Sequence, residues 1–209
     1  MEKKTDASHP TPHQSALTGC QLPLQGKPYK EEDNHARHFR YGAGRKLTPV
    51  PGMNTRPTTD RVKTSVFNII QMNIREAEVL DLFAGTGQLG IECLSRGAKH
   101  CDFVDFDKTA RATVQRNVTD ARVADRSTIH GEEYTAYLRR CRKKYDIIFL
   151  DPPYGGEILR NSLELVKEFD ILSPDGIIVC ESALEDDISV GREYRYGAIR
   201  ISIVRREEL

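Results

Sequence analysis

The segment Val79-Leu80-Asp81-Leu82-Phe83-Ala84-Gly85-Thr86-Gly87-Gln88-Leu89-Gly90 runs from a short apolar stretch into a glycine turn. After the turn, the apolar residues follow helical spacing, which is typical of the strand, loop and helix that open a Rossmann-like nucleotide-binding unit. Gly85 and Gly87 allow the backbone to approach a ligand closely, and the start of the next helix offers free N–H groups. A glycine turn of this kind also serves plain packing of a strand against a helix, so the segment alone leaves both interpretations open.

A second acidic segment follows at the spacing expected for a nucleotide-binding fold. Asp102-Phe103-Val104-Asp105-Phe106-Asp107 places a carboxylate where the second parallel strand should end, about 20 residues after the glycine turn. Asp105 is the better candidate to accept hydrogen bonds from both ribose hydroxyls, although a carboxylate here also suits a turn or a helix cap. We assign the cap to Asp107, because it directly precedes a segment with helical spacing.

A third segment favours one nucleotide fold over the others. The apolar residues 145–150 read as a buried strand, which ends in Asp151-Pro152-Pro153-Tyr154. Neither proline has a backbone N–H, so the Asp151 carboxylate and the Pro152 carbonyl form a rigid row of acceptors, which suits an amine donor. Tyr154 adds an aromatic face for a planar base. The alternative, a Pro-Pro turn that caps the next helix, explains the prolines but not the whole set.

These three segments together resemble the S-adenosylmethionine-dependent amino-group methyltransferases. Arg56-Pro57-Thr58-Thr59-Asp60-Arg61-Val62-Lys63, followed by Val66-Phe67-Asn68, is similar to the RsmD family, which methylates the exocyclic N2 amine of a guanine in 16S ribosomal RNA. The likeness covers residues 40–205. It implies S-adenosylmethionine as the cofactor and 16S rRNA or the assembling small ribosomal subunit as the partner. The sequence does not give the oligomeric state, for which we favour a monomer, and we expect a cytoplasmic enzyme.

The resemblance also implies the roles of individual residues. The catalytic residues would be Asp151, Pro152, Pro153 and Tyr154. The cofactor would be bound by Asp81, Phe83, Ala84, Gly85, Thr86, Gly87, Asp105, Phe106, Glu132 and Thr59. Glu132 stands where the family usually carries an Asp that faces the adenine amine, and Glu133 or a backbone group could take its place.

The alternation of strand and helix patterns predicts an α/β fold with a mostly parallel sheet. Helices are expected over 61–73, 88–95, 108–120, 132–144 and 157–169, and the chain should end in a hairpin of residues 193–196 and 198–205. The resemblance implies the Rossmann-like class I methyltransferase fold, with seven strands and this hairpin as its antiparallel part. Residues 1–38 are polar and proline-rich, so we expect a disordered or loosely attached tail before a single domain over 39–209.

The composition indicates where RNA could bind. Lys plus Arg equal Asp plus Glu at 31 each, so an RNA site must be a local patch. Basic residues with interleaved aromatics cluster over 37–63, as expected for phosphate contacts and base stacking, although a solvated charged face is the alternative. The RNA-binding candidates are Arg40, Arg45, Lys46, Arg56 and Arg61. A second basic run, 139–144, suits either RNA contact or the dipole of a helix end.

Other features of the sequence exclude several classes of protein. The five cysteines are scattered and odd in number, which argues against a disulfide framework and favours a reducing cytoplasm. The six histidines form no credible metal-ligand cluster, and no apolar run approaches the length of a membrane span. Three rival functions remain open: an adenine-N6 methyltransferase acting on DNA or RNA, a nicotinamide enzyme that would leave Asp151 to Tyr154 unexplained, and a nonenzymatic RNA-binding relative.

Overall fold

The computed structural model describes residues 47–51, 60–153 and 155–209. The predicted tail over 1–38 and the start of the predicted domain lie outside these residues. The same holds for six candidate site residues, which are Arg40, Arg45, Lys46, Arg56, Thr59 and Tyr154. These predictions are therefore not compared with the fold.

The described residues form one seven-stranded sheet in the order β3-β2-β1-β4-β5-β7-β6. The strands are β1 Glu78–Asp81, β2 His100–Val104, β3 Ser127–His130, β4 Tyr145–Leu150, β5 Leu172–Ala183, β6 Arg192–Tyr196 and β7 Ile199–Arg205. Strands β1 to β5 pair in parallel, whereas β7 runs antiparallel to both β5 and β6. The predicted α/β fold, with a mostly parallel seven-stranded sheet and an antiparallel hairpin at its end, is confirmed.

Two helices precede β1, and one further helix links each pair of successive parallel strands. They are α1 Asp60–Ile69, α2 Gln71–Ile74, α3 Gln88–Ser95, α4 Lys108–Asp120, α5 Tyr134–Arg140 and α6 Gly155–Glu168, with short 3₁₀ turns at Ala124–Arg126 and Arg206–Glu208. The bounds predicted for the helices 88–95 and 108–120 are correct, and the prediction for 157–169 is shifted by one or two residues.

Two predicted helices are shorter in the structure than in the sequence pattern. The segment 61–73 is divided at Ile70, whose backbone leaves the helical region so that both Ile70 and Ile74 are buried. The segment 132–144 is helical only over Tyr134–Arg140, because the backbone becomes extended at Cys141. The following residues then run back to the sheet, where Lys143 reaches Asp102. Apolar spacing could not reveal either break, since both follow from contacts with the sheet.

The core has two layers, one on each face of the sheet. Alternate residues of the central strands point to opposite faces, so Val79, Phe149 and Val179 pack with helices α1, α3 and α4. On the other face, Leu150 and Cys180 pack with helices α5 and α6. We call these the α1 face and the α6 face. This alternation determines which side chains reach the same side of the carboxyl edge.

Candidate active site at the carboxyl edge of the sheet

Strands β1 and β4 lie side by side at the point where the order of the parallel strands reverses. The chain continues from β1 to β2 on one side and from β4 to β5 on the other. In open α/β sheets, the crevice outside the carboxyl ends of two such strands is where ligands bind. The loops that begin at Leu82 and Asp151 both leave the sheet here, since Asp81 of β1 is in register with Phe149 of β4.

The loop after β1 is held by its neighbours on both sides. Leu82 N–H donates to the Phe149 carbonyl of β4 over 3.2 Å, and Ala84 N–H donates to the Val104 carbonyl of β2 over 3.0 Å. Gly85 and Gly87 then adopt positive φ angles of 53° and 76°, a conformation that residues with a Cβ rarely adopt. The loop is therefore a backbone cradle fixed between two strand ends, as the sequence pattern predicts for a ligand-binding turn.

Asp105 lies beside this cradle, directly after β2. Its Oδ2 accepts a hydrogen bond from Gly85 N–H at 2.9 Å, and its Oδ1 accepts one from Asp107 N–H at 2.9 Å. Each carboxylate oxygen has a second lone pair, so Asp105 retains capacity to accept from ligand hydroxyls. Asp107 caps α4 by accepting from Ala110 N–H at 2.7 Å, which confirms the cap predicted for it.

A buried asparagine on α4 fixes the far side of the cradle. Asn117 is fully buried, and its side-chain amide donates to the Thr86 carbonyl at 2.9 Å and the Thr48 carbonyl at 3.1 Å. Its Oδ1 accepts from Thr48 N–H at 2.9 Å. The sequence analysis did not identify this residue, although a polar side chain on the apolar face of α4, next to Val114 and Val118, is a signal for such a role.

Helix α1 contacts the cradle through a lysine. Lys63 is only 5% exposed, and its Nζ donates to Oε1 of Gln88, the first residue of α3, over 2.6 Å. Lys63 belongs to the basic cluster predicted over 37–63, but its side chain is turned toward α3 and does not lie on an exposed basic surface. Arg61 at the start of α1 is exposed, as its predicted contact with RNA requires.

Three carboxylates follow one another along the carboxyl edge on the α1 face. Asp81 is in register with Phe149, and Asp151 lies two residues after Phe149, so both side chains point to the same face as Phe149. Glu181 lies two residues after Val179 and points to that face as well. Burial raises the pKa of Asp81 to about 7, and the nearby Asp105 charge adds to the shift, although a hydrogen bond from Gly90 N–H at 3.1 Å opposes it. Burial raises the pKa of Asp151 well above its ordinary value, with further contributions from the charges of Glu181 and Asp81.

Such an arrangement destabilises the ionised forms of the carboxylates, and a positively charged ligand would stabilise them. The described residues whose charges act on Asp151 are themselves acidic. A cationic ligand bound between the cradle and Asp151 would favour the ionised forms of these carboxylates. This part of the edge is therefore electrostatically complementary to a cation.

The structure places the remaining predicted residues in different surroundings. Phe83 points away from the cradle and packs against Tyr134 on the α6 face, with ring centroids 5.3 Å apart. Phe106 is 65% exposed beside Asp105, which leaves its ring accessible to a ligand. Pro152 is half-buried and Pro153 is exposed, so the acceptor loop lies at the surface of the cleft.

Glu132 follows β3 and is engaged by a cation. Arg140 donates to both of its carboxylate oxygens, with a distance of 2.6 Å from Nε to Oε2. This pair lowers the pKa of Glu132 and orients its side chain toward α5. Glu133, the alternative acceptor, precedes the first turn of α5 without capping it through its side chain. In the predicted contact, the carboxylate oxygens of Glu132 would accept hydrogen bonds from both an adenine amine and Arg140.

The basic run 139–144 is largely committed to contacts within the chain. Besides Arg140, Lys143 pairs with Glu78 at 2.7 Å and with Asp102 at 2.8 Å, and Lys144 pairs with Asp170. Asp102 also accepts from His130 Nε2 at 2.8 Å. Arg139 and Arg140 lie in the last turn of α5, as the helix-dipole role requires, whereas Lys143 and Lys144 follow its end and form ion pairs.

Within residues 47–51, 60–153 and 155–209, no group of three or more His, Cys, Asp or Glu side chains could hold a metal ion. None of the helices found in that part of the chain is long and apolar enough to span a bilayer.

Comparison with solved structures identifies the class to which this fold and site belong. The structure of yhhF from Escherichia coli superposes with a TM-score of 0.71 at 29% sequence identity, covering 80% of this chain and 94% of that chain. A Rossmann-like sheet with a glycine cradle after β1, a carboxylate after β2 and an Asp-Pro-Pro loop after β4 defines an S-adenosylmethionine-dependent methyltransferase.

Comparison with known sequences identifies the family. The family model described as conserved hypothetical protein 95 matches residues 41–202. YlbH of Bacillus subtilis (strain 168) is 39% identical over 173 residues, which cover 78% of this chain and 94% of that protein. Ribosomal RNA small subunit methyltransferase D of Escherichia coli (strain K12) is 30% identical over 172 residues, covering 78% of this chain and 86% of that protein. The chain belongs to this family, the RsmD-type methyltransferases, as the motifs indicated.

Proposed function

We propose that this protein transfers a methyl group from S-adenosylmethionine to the exocyclic N2 amine of a guanine in 16S ribosomal RNA. The observation that carries the proposal is the placement of the Gly85 cradle and the Asp151 loop at the ends of the adjacent strands β1 and β4. A relative that is 30% identical is named a ribosomal RNA small subunit methyltransferase, which supports rRNA as the substrate class.

The residues at the edge fit this cofactor. The cradle and Asp105 would hold the nucleoside, with the Asp105 oxygens accepting from the ribose hydroxyls. Asp81 would face the positive groups of the cofactor, whose charge would oppose the effect of burial on its carboxyl pKa. Phe106, Glu132 and Thr59 are proposed to surround the adenine. When bound, the cofactor supplies a methyl group that is already activated by its positive sulfur.

The chain's own contribution is then to position the amine and to stabilise charge. The guanine N2 lone pair is delocalised into the ring, so the amine is a poor nucleophile in solution. Asp151 and the Pro152 carbonyl would accept hydrogen bonds from its two N–H groups, which favours a pyramidal nitrogen with its lone pair directed at the methyl group. The same acceptors stabilise the positive charge that develops on nitrogen during transfer.

The base must leave its helix to reach this site, because the amine is inaccessible in a stacked and paired strand. Tyr154 is proposed to stack on the extruded base, and Pro153 stiffens the loop that carries it. Phosphate contacts are assigned to Arg40, Arg45, Lys46, Arg56 and Arg61, which precede the sheet in the chain. We propose a monomer that acts in the cytoplasm on 16S rRNA or on the assembling small subunit.

Mass mapping of modified nucleotides in 16S rRNA tests this function. Cells that lack the gene should lack one N2-methylguanosine, and the wild-type gene should restore it. A gene that carries Asp151→Ala should fail to restore it, whereas the exposed Asp187→Ala serves as a matched control that should restore it. Loss of N6-methyladenosine instead, or an unchanged modification pattern, would contradict the proposal.

A further inference from the structure

Asp151 directly follows β4, and Glu181 lies within β5 at the same level of the sheet. Strand β4 pairs with β5 in the register Ile148 with Ile178, Phe149 with Val179 and Leu150 with Cys180. Asp151 and Glu181 are the next residues in this register. Adjacent strands lie about 4.8 Å apart, so the two side chains begin at that separation.

The two side chains also share a face of the sheet. Leu150 and Cys180 both pack in the core of the α6 face, so the residues that follow them point to the α1 face. The α1 face carries Asp81 and the docked helix α1, next to the Gly85 cradle. Glu181 is half-buried there, and its charge is among the causes that raise the pKa of Asp151 after burial itself. Glu181 therefore lies within electrostatic reach of the proposed acceptor site.

A pair of neighbouring carboxylates matches the edge of one base better than that of another. Guanine presents two donors side by side on its Watson–Crick edge, the N1–H and the N2 amine. Adenine presents one amine donor beside N1, which is an unprotonated acceptor. A second carboxylate beside Asp151 would satisfy guanine N1–H, whereas it would meet the lone pair of adenine N1. The geometry at this edge thus favours guanine through attraction and disfavours adenine through repulsion.

We propose that Glu181 is a specificity-determining residue whose carboxylate accepts the N1–H of guanine, while Asp151 and the Pro152 carbonyl hold the N2 amine. This inference rests on the proposed function and names the group that selects the base within that site. The role does not require Glu181 to lack other contacts in the chain, since each carboxylate oxygen accepts more than one hydrogen bond.

The test compares two bases at the mapped target nucleotide of an rRNA substrate, using the full-length protein. One substrate carries guanine, and the other carries 2-aminopurine, which keeps the N2 amine but has an acceptor at N1. The variant Glu181→Gln can donate from its amide to such an acceptor. The matched control is Glu185→Gln, which makes the same change at an exposed position four residues further along the chain.

Glu181→Gln should lower kcat/KM on the guanine substrate by about 10- to 100-fold and leave that on 2-aminopurine unchanged or higher. Glu185→Gln should match the wild-type protein on both substrates. Calorimetric titration with S-adenosylmethionine should give similar affinities for all three proteins, which shows that the variants fold.

Three other outcomes separate the possible errors. An equal loss on both bases would mean that Glu181 acts only through Asp151 or the fold, and this would overturn the inference. An equal rate of wild-type protein and Glu181→Gln on guanine would overturn it as well. If the wild-type protein transfers no methyl to the N2 amine of either base, the proposed function itself is wrong, and the inference fails with it.

Discussion

The backbone N–H of Gly85 donates to Oδ2 of Asp105 over 2.9 Å, and this bond joins the loop after β1 to the loop after β2. Together with the bond from Asp107 N–H to Oδ1, it fixes the orientation of the Asp105 carboxylate before any ligand arrives. The two loops of the proposed nucleoside site are thus joined by one carboxylate. A side chain with a single acceptor oxygen cannot make both bonds.

Asp105→Asn should weaken the binding of S-adenosylmethionine by about 10- to 100-fold, because hydrogen bonds to a charged group contribute about 1.5–3 kcal/mol. Isothermal titration calorimetry measures the change. The control is Asp107→Asn, which alters the half-buried cap of α4 and should change the affinity little. An affinity of Asp105→Asn equal to that of the wild-type protein would refute the assigned role.

The contribution of Asp81 to the stability of the protein without cofactor should decrease as the pH rises. Burial raises its pKa in the folded chain to about 7, above the ordinary value of a carboxyl group in the unfolded chain. The folded state therefore binds the proton more tightly, and this contribution to stability is fully present below about pH 4. It is lost as the pH rises through about 7.

Asp81→Asn removes this titration, so the variant should gain stability relative to the wild-type protein between pH 5 and pH 8, by on the order of 2 kcal/mol. Urea unfolding at the two pH values measures the difference. Asp125→Asn, at an exposed position, is the control and should show no such trend. If the difference in the free energy of unfolding between the wild-type protein and Asp81→Asn is the same at both pH values, this account is contradicted.

Lys143 should matter more for stability than its neighbour Lys99. Both pair with Glu78, but Lys143 also pairs with the buried Asp102, and its side chain is 37% exposed against 63% for Lys99. Lys143→Met should lower the free energy of unfolding by about 1–3 kcal/mol, since it leaves a buried carboxylate without one partner. Lys99→Met should lower it by less than about 1 kcal/mol.

The pH dependence of this contribution has the opposite sign to that of Asp81. Burial alone would raise the pKa of Asp102, but hydrogen bonds from Lys143 and His130 hold it below its ordinary value. The stabilisation is therefore present above about pH 4 and is lost as the pH falls through the lowered pKa. Unfolding measurements should find the gap between wild-type protein and Lys143→Met narrowing in acid, and a gap that widens there would contradict this.

The sheet and the cradle could be predicted because their signals are local. Alternating strand and helix patterns gave the α/β fold, and the glycine turn with Asp105 about 20 residues later indicated the nucleoside site that we propose. Lys63 could not be placed in this way, because its burial depends on how α1 docks against Gln88, which is 25 residues away in the chain. Likewise, the ion pair of Glu132 with Arg140 follows from where the backbone turns into and out of α5.

The same limit applies to Glu181. Its proximity to Asp151 follows from the register of β4 with β5, which single residues do not encode. The role of the buried Asn117 could be predicted only in part. Its apolar neighbours Val114 and Val118 indicate that it faces the core, whereas its bonds to Thr48 and Thr86 depend on the tertiary fold.

The central claim is that the Gly85 cradle and the Asp151 loop form one site for cofactor and base. Its most direct test combines two measurements on Asp151→Ala. Calorimetry gives the affinity for S-adenosylmethionine, and transfer of a labelled methyl group to hypomethylated small-subunit rRNA gives the rate. We predict an affinity within a few-fold of that of the wild-type protein and a rate lower by about 100- to 1,000-fold, because the loop holds the amine while the cradle holds the cofactor. Transfer at the wild-type rate would contradict the account.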